Sequence, residues 1–347
     1  MADISNIDKN FAVETKLDKN DIRFYDIDTE PFAVYGLSRE DGKYIRLPGS
    51  VSETVSPGVH MLHTNTAGGR VRFVTDSSYV TINAVMDGIG KMPHFPFTGS
   101  AGFDLYADNV YINTFVPPLT VDEGYESVIE FGSAAKREIT INFPLYSNVQ
   151  KLYIGLSDTS FVGKASPYKN SKPVVYYGSS ITQGGCASRP GNSYQAIVSR
   201  FFNLDYVNLG FSGNAKAEGE MIEYIKDLDM SVFVYDYDHN APTVEHLRNT
   251  HEKMFKAIRE KNPTLPVIMM TRPKAILTDE EQIRRSIVET TYKNALASGD
   301  KNVYFIDNEM LTALCGNEGT VDNCHPNDFG FASMARAVID VMKKIEF

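Results

Sequence analysis

The chain has 347 residues, 42% of them hydrophobic, and a formal net charge of −10. That is enough for two domains with sizeable cores. The acidic balance argues against nucleic acid or an anionic membrane surface as partner. No stretch approaches the roughly 18 uninterrupted apolar residues of a membrane span. The first ten residues carry no basic region followed by an apolar run, so a cytoplasmic protein is expected. Three cysteines, Cys186, Cys315 and Cys324, leave an odd count without metal-ligand spacing, and reduced thiols are expected.

The first half is built of short stretches with a period of two. Arg70-Val71-Arg72-Phe73-Val74-Thr75 and Ser78-Tyr79-Val80-Thr81-Ile82-Asn83 alternate around Asp76-Ser77, a hairpin-like pair. Val128-Ile129-Glu130-Phe131 and Glu138-Ile139-Thr140-Ile141-Asn142-Phe143 continue the pattern, and no helical periodicity interrupts it. An all-β sandwich, jelly-roll-like, is therefore predicted over residues 1–168. The segment Ser166-Pro167-Tyr168-Lys169-Asn170-Ser171-Lys172-Pro173 has the composition of a linker.

From residue 172 to 347 strands alternate with helices. Strands are expected at 174–178, 206–210, 232–237, 266–270 and 303–307. Helices are expected from Ser193 and over 243–261, 279–297 and 328–344; in the last, Phe331, Met334, Ala335, Val338, Ile339 and Met342 fall at helical spacing. This order predicts a parallel sheet covered on both faces, a three-layer α/β/α fold.

The strand ends carry the chemistry. Val174-Val175-Tyr176-Tyr177 runs into Gly178-Ser179-Ser180-Ile181-Thr182-Gln183-Gly184-Gly185, which places serine at the carboxyl end of a central strand, where open α/β sheets bind ligands. A serine hydroxyl needs an adjacent base to act as a nucleophile at neutral pH. Asp322-Asn323-Cys324-His325 supplies one. The three-residue spacing lets a single turn hold the carboxylate on one imidazole nitrogen while the other faces Ser180.

With Val207-Asn208-Leu209-Gly210-Phe211-Ser212-Gly213-Asn214 and Val232-Phe233-Val234-Tyr235-Asp236-Tyr237-Asp238-His239-Asn240, these segments resemble, in order, the four signature blocks of SGNH (GDSL-type) hydrolases. The resemblance implies a flavodoxin-like α/β/α fold with Ser180 as nucleophile, His325 as base and Asp322 as its partner. It assigns the oxyanion donors to the N–H of Ser180, the N–H of Gly213 (not Gly210) and the side-chain amide of Asn240. The plain alternatives are a turn glycine at Gly213 and, at Asn240, a cap for the helix beginning near Thr243. No metal or organic cofactor is implied. Ser179 stands where the family commonly has aspartate; Ile181-Thr182 sets the register on Ser180. Tyr237-Asp238-His239 replaces the usual glycines, so a narrower or more polar pocket is expected. His239 lacks a carboxylate at the Asp322 spacing and is expected to stand behind the site.

Gly102-Phe103-Asp104-Leu105-Tyr106 is similar to the G-x-D-L-Y motif of an N-terminal domain fused to SGNH-type esterases. Asp104 and Tyr106 are expected to tie down a strand end rather than to catalyse, and Pro93-His94-Phe95-Pro96-Phe97 is a candidate wall of the crevice. The resemblance implies a serine esterase for short acyl groups, acetyl first, on a small-molecule or carbohydrate ester. The same residues would also serve a lipase, a thioesterase or an acyltransferase, and an inactive glycan-binding module is the alternative from another class.

Overall fold

The computed structural model describes residues 15–346, so the N-terminal segment considered above lies outside it. Among the described residues no helix is long and apolar enough to cross a membrane. The N-terminal part comprises β1 (Ile22–Asp26), β2 (Ala33–Tyr35), β3 (Ser38–Glu40), β4 (Lys43–Ile45), α1 (Gly49–Val55), α2 (Pro57–Leu62), β5 (Arg70–Thr75) and β6 (Tyr79–Asp87). It continues through α3 (Phe97–Ser100), β7 (Phe103–Ala107), β8 (Val110–Phe115), β9 (Gly124–Glu130), β10 (Arg137–Asn142), β11 (Asn148–Ser157) and β12 (Val162–Gly163).

Two antiparallel sheets, β1-β11-β6-β9 and β12-β5-β10-β7-β8 with β2 also on β5, face each other. Alternate residues of both, such as Val80, Ile82 and Ile154 against Val71, Phe73 and Ile139, form one apolar core. β5 and β6 are not a hairpin, contrary to the sequence reading: β5 pairs with β10, β2 and β12, and β6 with β11 and β9. The reason lies in the turn. Ser77 donates to Tyr79 O and accepts from Ser157 N, while Asp76 accepts from Phe161 N, so the chain crosses to the opposite sheet. The absence of helices is also corrected. α2 has an N-cap, Ser56, whose side chain accepts from Val59 N, with Pro57 in its first turn. Both signals lie in a segment too short to show a helical period.

The C-terminal part contains β13 (Val174–Gly178), α4 (Ser180–Gln183), α5 (Tyr194–Phe202), β14 (Tyr206–Gly210), α6 (Gly219–Lys226), β15 (Val232–Asp236), α7 (Val244–Lys261), β16 (Val267–Met270), α8 (Asp279–Ala297), β17 (Val303–Ile306), α9 (Asn308–Leu311) and α10 (Asp328–Met342). Its five strands are parallel in the order β14-β13-β15-β16-β17, the flavodoxin-like 2-1-3-4-5 arrangement. Every residue of β13 and β15 is buried, as a sheet covered on both faces requires. Val175, Tyr177, Phe233 and Tyr235 pack towards α6, α7 and α8. Val174, Tyr176, Val232 and Val234 pack towards α5 and α10.

The two parts share these cores. Leu47, Val55, Val59 and Leu62 belong to the first cluster, and Ala67, Phe95, Leu145 and Tyr146 to the second. Arg46, fully buried, donates to Asn65 O and Leu62 O on its own side and to Asn208 O and Gly210 O at the end of β14. The G-x-D-L-Y residues act here too. Asp104 accepts from Arg189 at 3.0 Å, Gly191 N at 2.8 Å and Asn142 at 2.7 Å, and Tyr106 also meets Arg189. They fasten β7 to the turn Pro190–Asn192 ahead of α5.

Candidate active site

β13 and β15 are neighbours at the point where the strand order reverses, and their ends bring residues 180 and 240 to one crevice. Gly178 permits that approach: a Cβ there would lie 1.8 Å from Asp236 Oδ1. Ser179 is fully buried and caps α4, accepting from Ile181 N at 3.2 Å. Ser180, half-buried, is the first residue of that helix, so its N–H has no intrahelical acceptor. Gly184, at φ 102°, ends the helix in the left-handed region.

Ser180 Oγ lies 2.9 Å from His325 Nε2, and His325 Nδ1 lies 2.8 Å from Asp322 Oδ2. A carboxylate can only accept, so Nδ1 carries the hydrogen and Nε2 is left to accept from Ser180. The loop holding this pair is closed on itself: Val321 N donates to His325 O, and Thr320 bridges Pro326. Burial acts to raise the Asp322 carboxyl, but the N–H and ring of His325 and the N–H of Cys324 outweigh it, and the group titrates below its ordinary value.

Asn240 donates to Phe211 O at 3.0 Å, a carbonyl that also accepts from Asn214 N and Ala215 N. One hydrogen of the amide thereby pins the 211–215 loop and the second is left over. Gly213 sits in that loop at φ 71° with open space where a Cβ would be, and no acceptor for its N–H exists among the described residues. Ser212 N is held by Gln183 Oε1 at 3.0 Å. Asn240 is not the cap of α7; Thr243 is, accepting from His246 N.

The expectation for the third strand end needs correction. Tyr237 and Asp238 do not narrow the crevice, because both are buried. Tyr237 bonds Thr250, and Asp238 pairs with Arg272 at 3.1 Å, itself bonded to Glu281. His239 stands behind Cys324, its Nδ1 3.9 Å from the sulfur; burial holds the ring down at about 4, against the pull of Asp238. Two sets of ligand-type atoms, His94/Cys186/His325 and Asp322/Cys324/His325, fall within 4.8 Å. Both use His325, whose nitrogens already face Ser180 and Asp322, so a metal ion there would compete with that chain. Burial, then Asp322 and Cys324, pushes the Cys186 thiol up to about 12.

The wall comes from the N-terminal part. The His94 ring lies 5.5 Å from that of His325. Phe95 packs edge-on against Tyr146, whose hydroxyl donates to Ser180 O at 3.1 Å. Sequence reasoning missed Tyr146, Gln183, Arg46 and Asp236. Only Asp236 and Gln183 lay inside a recognised block; nothing in their own neighbourhoods marks Tyr146 or Arg46.

The sequence profile of the GDSL-like lipase/acylhydrolase family matches residues 171–343, and that of the GxDLY domain, the N-terminus of SGNH hydrolase-type esterases, matches residues 22–162. No curated protein matches the chain. Among solved structures, a Bacteroides ovatus protein described as a GDSL-like lipase is 28% identical (94% of this chain and 99% of that one covered, TM-score 0.82). A salicylyl-acyltransferase from a tetracycline biosynthetic pathway is 20% identical (94% and 98%, TM-score 0.77). A family two carbohydrate esterase from Cellvibrio japonicus is 11% identical (93% and 97%, TM-score 0.62). The last two are similar in fold.

Proposed function

The chain belongs to the GDSL-like lipase/acylhydrolase family, as an SGNH serine hydrolase acting on ester bonds, and from that premise we propose that Ser180, His325 and Asp322 carry out hydrolysis of short-chain acyl esters, acetyl first, on a carbohydrate. The observation that carries this reading is the Ser180–His325–Asp322 chain at 2.9 and 2.8 Å.

Ser180 Oγ attacks the ester carbonyl as its proton passes to His325 Nε2, and Asp322 stabilises the imidazolium. The N–H groups of Ser180 and Gly213 and the spare hydrogen of Asn240 hold the oxyanion, each donor typically contributing a few kcal/mol. His325 then protonates the leaving alcohol as its C–O bond breaks. Water, deprotonated by the same imidazole, attacks the acyl-serine, and the imidazolium returns the proton to Ser180 Oγ as the acid leaves. The carbohydrate part of the proposal is supported by the carbohydrate esterase of similar fold, and the short acyl part by the exposed His94 ring beside His325. The acyltransferase of similar fold favours a second reading, in which an alcohol replaces water. We also take residues 1–168 and 172–347 as the two domains.

A fluorophosphonate probe tests the nucleophile. It should label Ser180 and not the buried Ser179, and Ser180→Ala should abolish hydrolysis with the fold intact. Labelling at Ser179, or activity retained in the variant, would refute the assignment. Acetylated sugars incubated with and without an added alcohol separate hydrolysis from transfer.

A further inference from the structure

The strand alternation that sends Val71 and Phe73 into the sandwich core sends Arg70 and Arg72 to the other face of β5, against the C-terminal part. There they meet Tyr206 and, from α5, Arg200. Between them lies a cavity of about 20 Å³, lined by these four residues with Asn109 and Asn142 among the rest. That space admits a water-sized sphere, so there is room for one small occupant.

Three arginines line this cavity, and no acidic residue does. Two of the charges are met elsewhere, Arg70 by Asp205 and Arg72 by Glu138. Arg200 has no ion-pair partner among the described residues; its guanidinium lies over the Tyr106 ring at 4.2 Å. Arg72, 3% exposed, has its Nη1 buried without an acceptor, and so has Arg200. A buried donor without an acceptor is costly, and so is an uncompensated charge. A neutral water could accept from both nitrogens but would leave the surplus charge.

We propose that this cavity, in the seam between the two parts of the molecule, binds one monovalent anion of chloride size. Arg72 Nη1 and Arg200 Nη1 donate to it, and its charge offsets that of Arg200. An anion bound only when both sides are in place stabilises the seam by mass action.

The full chain should unfold at a higher temperature in sodium chloride or bromide than in sodium gluconate of equal ionic strength, since gluconate is too large for the cavity. A saturating rise of roughly 3 °C is expected. Arg200→Met, which keeps an unbranched side chain at this partly exposed position, should fold and lose that halide-specific rise. Crystals grown in bromide should show its anomalous signal between Arg72 and Arg200. Equal unfolding temperatures in the two salts would overturn the proposal, as would a rise that persists in Arg200→Met or a water refined in place of bromide.

Discussion

Asp322 does two things for His325: one oxygen takes the ring Nδ1–H and the other takes the backbone N–H of the same residue. Asp322→Asn keeps the shape but cannot hold the tautomer that leaves Nε2 free. Turnover should fall by up to about 10⁴, the loss seen for the equivalent change in the serine-protease example, with substrate affinity little altered. Steady-state kinetics check this; near-normal turnover would mean that another acceptor orients the ring. A second carboxylate, Asp236, works in the opposite sense. Burial raises it to about 7, against the hydroxyl of Thr182 and with Asp238 adding to the rise. Its folded value lies above the unfolded 3.8, so the stability it contributes is complete below pH 3.8 and is lost as pH rises through 7. Asp236→Asn, which cannot ionise, should melt above the native chain at pH 8 to 9, with the gap closing as pH falls to about 3.8. His239 and His251 shape the acid side: burial holds them at about 4 and about 3, so stability falls as pH drops below 6.5. Melting curves across pH in both chains would decide, and a variant less stable at pH 9 would refute the Asp236 reading.

At the scale of elements, the positions of the strands with clear alternation or apolar runs were legible in the sequence and strand partners were not. Residues 70–75 alternate as expected, yet the pattern cannot say which sheet they join; that depends on Ser77 and Asp76 reaching residues 157 and 161. The five parallel strands and the three long helices were legible because apolar runs and 3.6-residue spacing persist over whole elements. α1, α2 and α6 were not, being at most eight residues long. At the site, the motif residues could be read because catalysis demands particular side chains at strand ends. Tyr146 and Arg46 could not, since their bonds to the C-terminal part span 34 and 164 residues of sequence. Asp104 lies between these cases, a recognisable motif residue whose work proves to be docking. Asp104→Ala should leave Arg189 and Gly191 N without their acceptor. Breaking such a buried pair typically costs about 3–5 kcal/mol, and the melting temperature should drop by several degrees. Specific activity of the folded protein should stay within about twofold, since no reacting atom is touched. Lost activity at unchanged stability would give Asp104 a direct part in the reaction.

For the whole molecule, the central question is whether residues 171–347 form a separable enzyme. Their sheet, helices and motif residues are complete, but their cores are not. Four side chains of one cluster, Leu47, Val55, Val59 and Leu62, come from the N-terminal part. Burying a large aliphatic side chain contributes roughly 1.5–3 kcal/mol, so their removal costs on the order of 6–12 kcal/mol, comparable to the net stability of a typical domain. Phe95, Leu145 and Tyr146 would go as well, taking the bond to Ser180 O. A chain starting at Ser171 should therefore be insoluble, or bind apolar dyes strongly, because it exposes a broad apolar face. Supplying residues 1–170 as a separate chain should restore solubility and activity together. The same wall bears on chain length. With His94 beside His325, aryl esters of three carbons or fewer should be the best substrates of the intact protein, with rates falling steeply for longer acyl groups. A peak at eight carbons or more would point to a lipase. A soluble chain from Ser171 with the intact protein's chain-length profile would show that the N-terminal part shapes neither the core nor the site.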